Sequence, residues 1–422
     1  MKKSNTFYAH QLSKDWKLRL LAKILKEGKN FCFFDSHQQE NINYPHLQYN
    51  AVIAIGEKEV LEPKTHKWQA LETFVEDKKN WKFGFLSYDL KNEIESLTSK
   101  NKDFVGFPEL YFFKPETVIT ERDGIVEVLG DLSFDLNELP IVSTENLHLP
   151  KTEFTSSTSK QQYLEQVHKL KQHIQRGDIY EINYCITFLA NNYKVDPLAL
   201  FYHFLEDAHV PFSSFCRIND HFIFSASPER FLKKSGTKVI SQPIKGTSKR
   251  GKQPVLEAKQ LSDSLKDRTE NVMIVDLVRN DLSRTAKRGS VRVEELFGIY
   301  SFPEVHQMIS TVVCEIEEHE NPIELIKNCF PMGSMTGAPK ISAMQLAEEH
   351  ENFKRGLYSG SIGYFTPDNN FDFNVVIRTA IFNSKTKVLS YAVGGAITAL
   401  SDNEQEFEEC LLKAERFFKI FR

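Results

Sequence analysis

From residue 159 onward the apolar positions fall into sharp periods. Ser159 and Gln162 form a capping box ahead of Tyr163, Val167, Leu170 and Ile174 at helical spacing, and Gly177 closes the run, which predicts a helix. A strand follows: Tyr180, Ile182, Tyr184, Ile186 and Phe188 alternate with Glu181, Asn183, Cys185 and Thr187, so one face is greasy and the other carries an acid and an amide. One long helix is expected over about 255–284, with Leu261, Leu265, Val272, Val275 and Leu282 close to one seam. Strands are expected near 359–365, 375–382 and 388–393. The last element starts at Asp402 with Gln405 three residues on, and Phe407, Leu411, Ala414 and Phe418 form its buried stripe. Before residue 140 shorter segments rich in Phe, Tyr, Val and Ile suggest strands with some helix. The stretch 140–160 reads as a linker, because His148-Leu149-Pro150 leads into the small hydroxyl run Thr155 to Ser159. Strands and helices are both abundant without a regular βαβ rhythm, which favours an α+β class.

Composition narrows the function classes. The 422 residues carry a net charge of −4 with no dominant basic stretch, which argues against nucleic acid and anionic membranes as partners. Lys2 and Lys3 precede no apolar run, and no stretch approaches the roughly 18 apolar residues of a membrane span, so a cytoplasmic protein is expected. Cys32, Cys185, Cys216, Cys314, Cys329 and Cys410 lie far apart with no CxxC pair, which reads as free, buried thiols.

Several residues can carry chemistry. Asp267 and Glu270 stand three apart on one expected helix, and Glu406 and Glu409 three apart on another, so each pair shares a helix face. Two such faces turned together would suit a hard cation such as Mg²⁺; a solvated surface, with Glu409 paired to Lys413, is the ordinary alternative. Lys245, between Pro243-Ile244 and Gly246, sits where burial would lower its pKa and free its amine, although most lysines are exposed and inert. Glu229, after Pro228, suits a general acid or base, or a helix cap. Gly333 to Lys340 looks faintly like a phosphate loop, but its spacing is wrong and Pro339 removes a donor. Gly394-Gly395 offers either carboxylate-binding N–H groups or a tight turn. Arg378 is a charge inside an apolar strand and needs an anionic partner, from the protein or a ligand; Tyr364 lies in another strand.

Taken in order, GDIYEIN (177–183), SASPERF (225–231), PIKGT (243–247), KDRTENVMIVDLVRNDLSR (266–284), FPMGSMTGAPK (330–340), GSIGYF (360–365), IRTA (377–380) and EQEFEECLLK (404–413) resemble the chorismate-utilising enzymes, a family that includes anthranilate, aminodeoxychorismate, isochorismate and salicylate synthases. The resemblance covers 159–420 as a chorismate-binding catalytic region; 1–150 matches the family's N-terminal part only loosely. It implies an anthranilate-synthase-like α+β fold, a large sandwich of two antiparallel sheets with a layer of helices between them. It also implies Mg²⁺, held directly by Glu270 and Glu409 with Asp267 and Glu406 in support. Arg378 and Tyr364, with backbone amides near Gly394 and Gly395, would bind the enolpyruvyl carboxylate of chorismate. Ser334 and Lys413 would contact substrate.

The PIKGT form is similar to the aminodeoxychorismate-forming branch. There Lys245 would add to C2 of the ring and Glu229 would help the C4 hydroxyl leave. Anthranilate synthases typically have Ala at the Lys245 position, and water-adding members carry a lysine where Glu181 stands. Two departures remain. In Val305-His306-Gln307-Met308-Ile309-Ser310, Gln307 takes the register of the family's usual His, so His306 has no clear role. Glu181 replaces a common glutamine. No cysteine has a nucleophile-elbow setting, so a glutamine amidotransferase subunit is the implied source of ammonia. The competing readings are an anthranilate synthase and a catalytically silent regulatory member. Phe34-Asp35-Ser36 lies near where some relatives bind tryptophan.

Overall fold

The computed structural model describes residues 4–37, 44–205 and 208–422. Local signals act as expected in the second half. Ser159 caps the helix Lys160–Arg176 through a complete capping box, and Gly177 ends it in a left-handed conformation at φ 83°. The strand Glu181–Ala190 follows, and Asp402 caps the helix Asn403–Lys419 by accepting the Gln405 N–H.

Among the described residues the strands build two antiparallel sheets. The larger, of 12 strands, runs in the order Ser4–Tyr8, Ile125–Leu129, Thr117–Arg122, Ala51–Ile55, Phe31–Asp35, Phe212–Ile218, His221–Ser227, Thr379–Asn383, Val388–Ile397, Glu181–Ala190 and Gly337–Ala338, with Thr155–Ser156 also beside Glu181–Ala190. The smaller, of 10, runs Ile244–Lys249, Val305–Glu315, Lys238–Gln242, Arg230–Ser235, Phe371–Asn374, Ser361–Phe365, Lys82–Leu86, Leu110–Lys114 and Glu59–Leu61, with Arg292–Ser301 also paired to Val305–Glu315. In both sheets the strands from before 140–160 form one block and those from after it another, joined edge to edge where Phe31–Asp35 pairs with Phe212–Ile218 and Lys82–Leu86 with Ser361–Phe365, so the segment crosses one folded unit. No described helix is long and apolar enough to cross a membrane.

Three large apolar bodies hold the layers together, with a small fourth around Tyr44, Phe302 and Ile309. On the outer face of the large sheet, the helices Trp16–Glu27, Lys160–Arg176, Pro197–Leu205 and Asn403–Lys419 bury Leu20, Tyr163, Leu200 and Phe417 against Phe33, Tyr184 and Phe224. A second body is direct sheet-to-sheet contact, with Cys32, Val52 and Ile223 against Phe83, Tyr111 and Ile362. In the third, the helices Lys67–Val75, Leu265–Ser283 and Pro322–Cys329 cover the small sheet and reach Cys185 and Ala392 of the large one. The expected α+β class and paired antiparallel sheets are present. Helices fill the space between the sheets only in this third body; elsewhere the sheets touch, and the remaining helices named here lie outside.

The expected single helix over 255–284 is two, Pro254–Asp263 and Leu265–Ser283. Ser264 takes an extended conformation between them, and its hydroxyl accepts the Asp267 N–H, a capping bond that opens the second helix. That break rotates the apolar seam: Leu261, Val275 and Leu282 are buried, whereas Leu265 and Val272 are exposed. The strand expected over 375–382 is also interrupted. The chain leaves the small sheet at Asn374 and joins the large one at Thr379, and Arg378 between them sits at φ 52°, outside any strand.

Candidate active site

Lys245 follows Pro243 in the strand Ile244–Lys249. Its neighbour Gly246 has φ +94° and backs onto Asp267, where an added Cβ would stand 3.0 Å from that side chain. Asn271, one helical turn beyond Asp267, fixes the lysine's backbone: its Nδ2 donates to the carbonyls of Lys245 (3.5 Å) and Met308 (3.4 Å), while its Oδ1 accepts from Ser310 at 2.5 Å. The ammonium reaches Glu181 on the large sheet at 2.8 Å. Burial acts to lower the Lys245 pKa, as expected from sequence, but the charges of Glu181, Glu270 and Glu229 outweigh it and the pKa is raised. The expectation of a lowered lysine pKa is therefore reversed: the amine is held as an ammonium.

Glu229 links the strands His221–Ser227 and Arg230–Ser235, so there is no helix for it to cap. It is 4% exposed. Burial pushes its carboxyl up to about 7, against the pull of the Ser334 hydroxyl and the Lys245 ammonium. Near neutral pH it therefore keeps its proton much of the time, which suits a general acid.

The two acid pairs face each other from the helices Leu265–Ser283 and Asn403–Lys419. Lys266 stands between them, 3.9 Å from Glu270 and 4.0 Å from Glu406. Burial, with Glu181 and Asp267 nearby, raises the Glu270 pKa; burial and Glu409 raise that of Glu406. Glu409, despite its burial, is held low by Lys413 at 2.7 Å. Among the described residues no three acid, His or Cys side chains close into a ready metal cluster. The donor chemistry nevertheless fits Mg²⁺: hard carboxylate oxygens carry an excess of negative charge that lysines only partly offset.

The expected substrate contacts divide. Lys413 Nζ donates to the Gly394 carbonyl at 2.8 Å, and Arg378 Nη1 to the Lys413 carbonyl at 3.2 Å, so these residues meet. Arg378 is half-buried outside a strand, and this bond goes to a carbonyl, not to a carboxylate. Gly394 and Gly395 lie within the strand Val388–Ile397, not in a turn. A Cβ on Gly394 would stand 2.5 Å from Cys185 Sγ, and one on Gly395 would stand 3.3 Å from Glu406 Oε2. Ser334, in the turn Gly333–Met335, lies beside Glu229 without a full hydrogen bond. Tyr364 is not brought to this site. It packs among Phe34, Tyr49, Trp81 and Phe83 in the core between the sheets. Asp35, beside Phe34, is paired with Lys17 at 2.9 Å.

His306 is buried with Nδ1 2.8 Å from Ser301 Oγ and Nε2 4.0 Å from Glu257. Gln307 pairs in register with Thr247, two residues past Lys245, and its buried Oε1 lacks a partner among the described residues. Other residues at the site were not singled out from sequence. Arg355 donates to Glu351 (2.5 Å), the Met335 carbonyl (2.7 Å) and the Asn183 carbonyl (2.8 Å), tying Glu181–Ala190 to the Gly333–Met335 turn. Lys340, dismissed with the phosphate-loop pattern, holds Asp281 at 2.6 Å. These partners are distant in sequence, and no periodicity marks them.

A family profile described as chorismate binding enzyme matches residues 29–419. The aminodeoxychorismate synthase component 1 of Escherichia coli (strain K12) is 33% identical over 347 residues, covering 80% of this chain and 76% of that protein. The chloroplastic aminodeoxychorismate synthase of Arabidopsis thaliana is 37% identical over 364 residues, 78% of this chain but only 39% of that longer protein. The fold is similar to anthranilate synthase component I from Streptococcus pneumoniae, with TM-score 0.78 at 22% identity over 91% of this chain and 95% of that one.

Proposed function

This chain belongs to the chorismate-binding enzyme family, and on that premise we propose that it joins ammonia to chorismate to give 4-amino-4-deoxychorismate. The observation that carries the reading is Lys245, a primary amine buried among Glu181, Glu229 and Glu270 beside two facing pairs of acids. Relatives named aminodeoxychorismate synthase, at 37% and 33% identity, support the same product.

Glu270 and Glu409 would hold Mg²⁺ directly, with Asp267 and Glu406 through water; bound there, the ion would neutralise the ring carboxylate of chorismate. Lys413 would sit by that carboxylate. Arg378, with backbone N–H groups near Gly394 and Gly395, would hold the enolpyruvyl carboxylate, and Ser334 would contact the ring. Lys245, once it gives up its proton, attacks C2. Glu229 protonates the C4 hydroxyl, which leaves as water. Ammonia then attacks C4 and the lysine amine leaves C2, which puts nitrogen at C4. Ammonia would come from a glutamine amidotransferase subunit. That fits relatives named as a component 1 and the burial of all six cysteines here, which leaves no exposed thiolate for glutamine hydrolysis.

The test is product analysis. The purified chain is incubated with chorismate, Mg²⁺ and ammonium, and the products are separated and weighed. An amino-chorismate that a lyase converts to para-aminobenzoate is the expected product, and Lys245→Ala should abolish it. Anthranilate with free pyruvate overturns the reading in favour of anthranilate synthesis.

A further inference from the structure

Behind Glu229 lies a cavity of about 20 Å³, lined by Glu229, Ser334, Asp281, Val278, Cys329 and Met332 among others. That is room for one molecule the size of water. Its polar lining is unbalanced. Asp281 is 4% exposed and its Oδ2 is taken by Lys340, but its buried Oδ1 has no partner among the described residues. Ser334 Oγ likewise completes no hydrogen bond. Two carboxyl groups, one with an unused acceptor, thus face a space in which the Ser334 hydroxyl is the one unpartnered side-chain donor among the described residues, so acceptors outnumber donors. An orphaned buried acceptor is costly, and the occupant that relieves it is small and rich in donors. Water offers two N–H or O–H donors at most, whereas ammonium offers four.

We infer that this cavity is an ammonium site, in which Asp281 and Glu229 hold the nitrogen that the reaction consumes. The inference rests on the reading above and deepens it. Glu229 gives its proton to the C4 hydroxyl, which departs as water, and becomes a carboxylate. Ammonium in the cavity returns a proton to that carboxylate and becomes NH₃. The lone pair of NH₃ forms the C4–N bond, and the electron pair of the C2–N bond returns to the Lys245 amine. The product carries its nitrogen as an ammonium group, Glu229 is again a carboxylic acid, and the net change is chorismate plus ammonium to amino-chorismate plus water. The nitrogen source therefore resets the general acid, with no other proton donor needed.

The test uses the full chain with chorismate, Mg²⁺ and ammonium chloride. Asp281→Asn keeps the shape and an oxygen for Lys340 but removes the charge and turns an amide donor toward the cavity. The KM for ammonium should rise at least about tenfold, the scale of one charge-assisted hydrogen bond, while the KM for chorismate stays near its original value. A second variant reads the same site by gain of function. Val278→Ala widens the cavity by two methyl groups, and with methylamine in place of ammonium it should yield a methylamino product that the parent chain does not make. An unchanged ammonium KM in folded Asp281→Asn, or loss confined to chorismate KM or kcat, overturns the site and assigns the cavity to water. The absence of methylamino product from active Val278→Ala overturns it as well. If the parent chain itself forms no amino-chorismate, the proposed function fails first and the ligand assignment falls with it.

Discussion

Lys245 Nζ lies 2.8 Å from Glu181 Oε1, and this pair joins the strand Ile244–Lys249 of the small sheet to Glu181–Ala190 of the large one. It gives Glu181, the acid that stands in place of an expected glutamine, a partner across the sheets. Glu181 raises the lysine pKa, so the neutral amine required for attack appears only as pH climbs toward that raised value. Activity should therefore rise with pH while Glu229 keeps its proton and level off near pH 7, where further gain in neutral amine is matched by loss of the acid. Glu181→Gln removes the largest of the carboxylate effects, which lowers the lysine pKa, so the level kcat/KM above pH 7 should rise and the fall at alkaline pH should begin earlier. A plateau that does not rise, with the alkaline fall left in place, contradicts a nucleophilic role for this amine.

Glu229 sets where that rise ends. Its folded pKa of about 7 exceeds its ordinary 4.5, so as pH rises through about 7 the loss of the carboxylic acid cancels the gain in neutral Lys245 and activity stops rising. Glu229→Gln should lower kcat roughly a hundredfold or more, the usual scale of general acid catalysis. Stability gives an independent readout. Above pH 4.5 the unfolded chain ionises this group while the folded chain keeps its proton, so the folded state loses stability between pH 4.5 and about 7. The loss reaches at most about 3 kcal/mol. Glutamine does not titrate, so the Tm of Glu229→Gln relative to the parent should climb across that window and level off above it. A constant difference in Tm would mean that Glu229 ionises normally.

Periodicity made part of this legible. The capping box at Ser159, the two-residue alternation from Glu181 and the i,i+3 acid pairs are local signals, and each produced the expected element or face. Ser264 was harder to read, because apolar residues continue at helical spacing on both sides of it, yet its hydroxyl serves the Asp267 N–H better as a cap than as part of a helix. Tyr364 was misplaced although the alternation held the answer: it shares parity with Ile362, and both point into the core between the sheets. The charge state of Lys245 was beyond local reading, since the acid that decides it lies 64 residues away in the chain.

Lys266 offers a probe of the proposed Mg²⁺ site. Its ammonium stands 3.9 Å from Glu270 and 4.0 Å from Glu406, in competition with any cation those acids would bind. Lys266→Gln should reduce the Mg²⁺ concentration for half-maximal activity by roughly two- to fivefold, in keeping with an exposed pair. Glu270→Gln should raise that concentration, and a chelator should abolish activity in the parent. A higher Mg²⁺ requirement in Lys266→Gln would show that the lysine supports the site instead of opposing the ion.

Asn271 tests whether the site is placed by its scaffold. It is fully buried, accepts from Ser310 at 2.5 Å and donates to the Lys245 and Met308 carbonyls, so one amide ties the helix carrying Glu270 to the strands carrying Lys245 and Met308. Asn271→Ala leaves the Ser310 hydroxyl and two carbonyls without this partner and should cost about 1–3 kcal/mol, measured by denaturant unfolding. Because Lys245 also loses its register against Glu270, kcat should fall further than the stability loss explains at temperatures where the variant is fully folded, while KM for chorismate changes little. Ser310→Ala removes the Ser310 bond but leaves the Asn271 amide free to hold Lys245. It should share part of the stability loss and little of the kcat loss. Equal kcat losses in the two variants would place the effect in general loosening of the small sheet, and not in the position of the lysine.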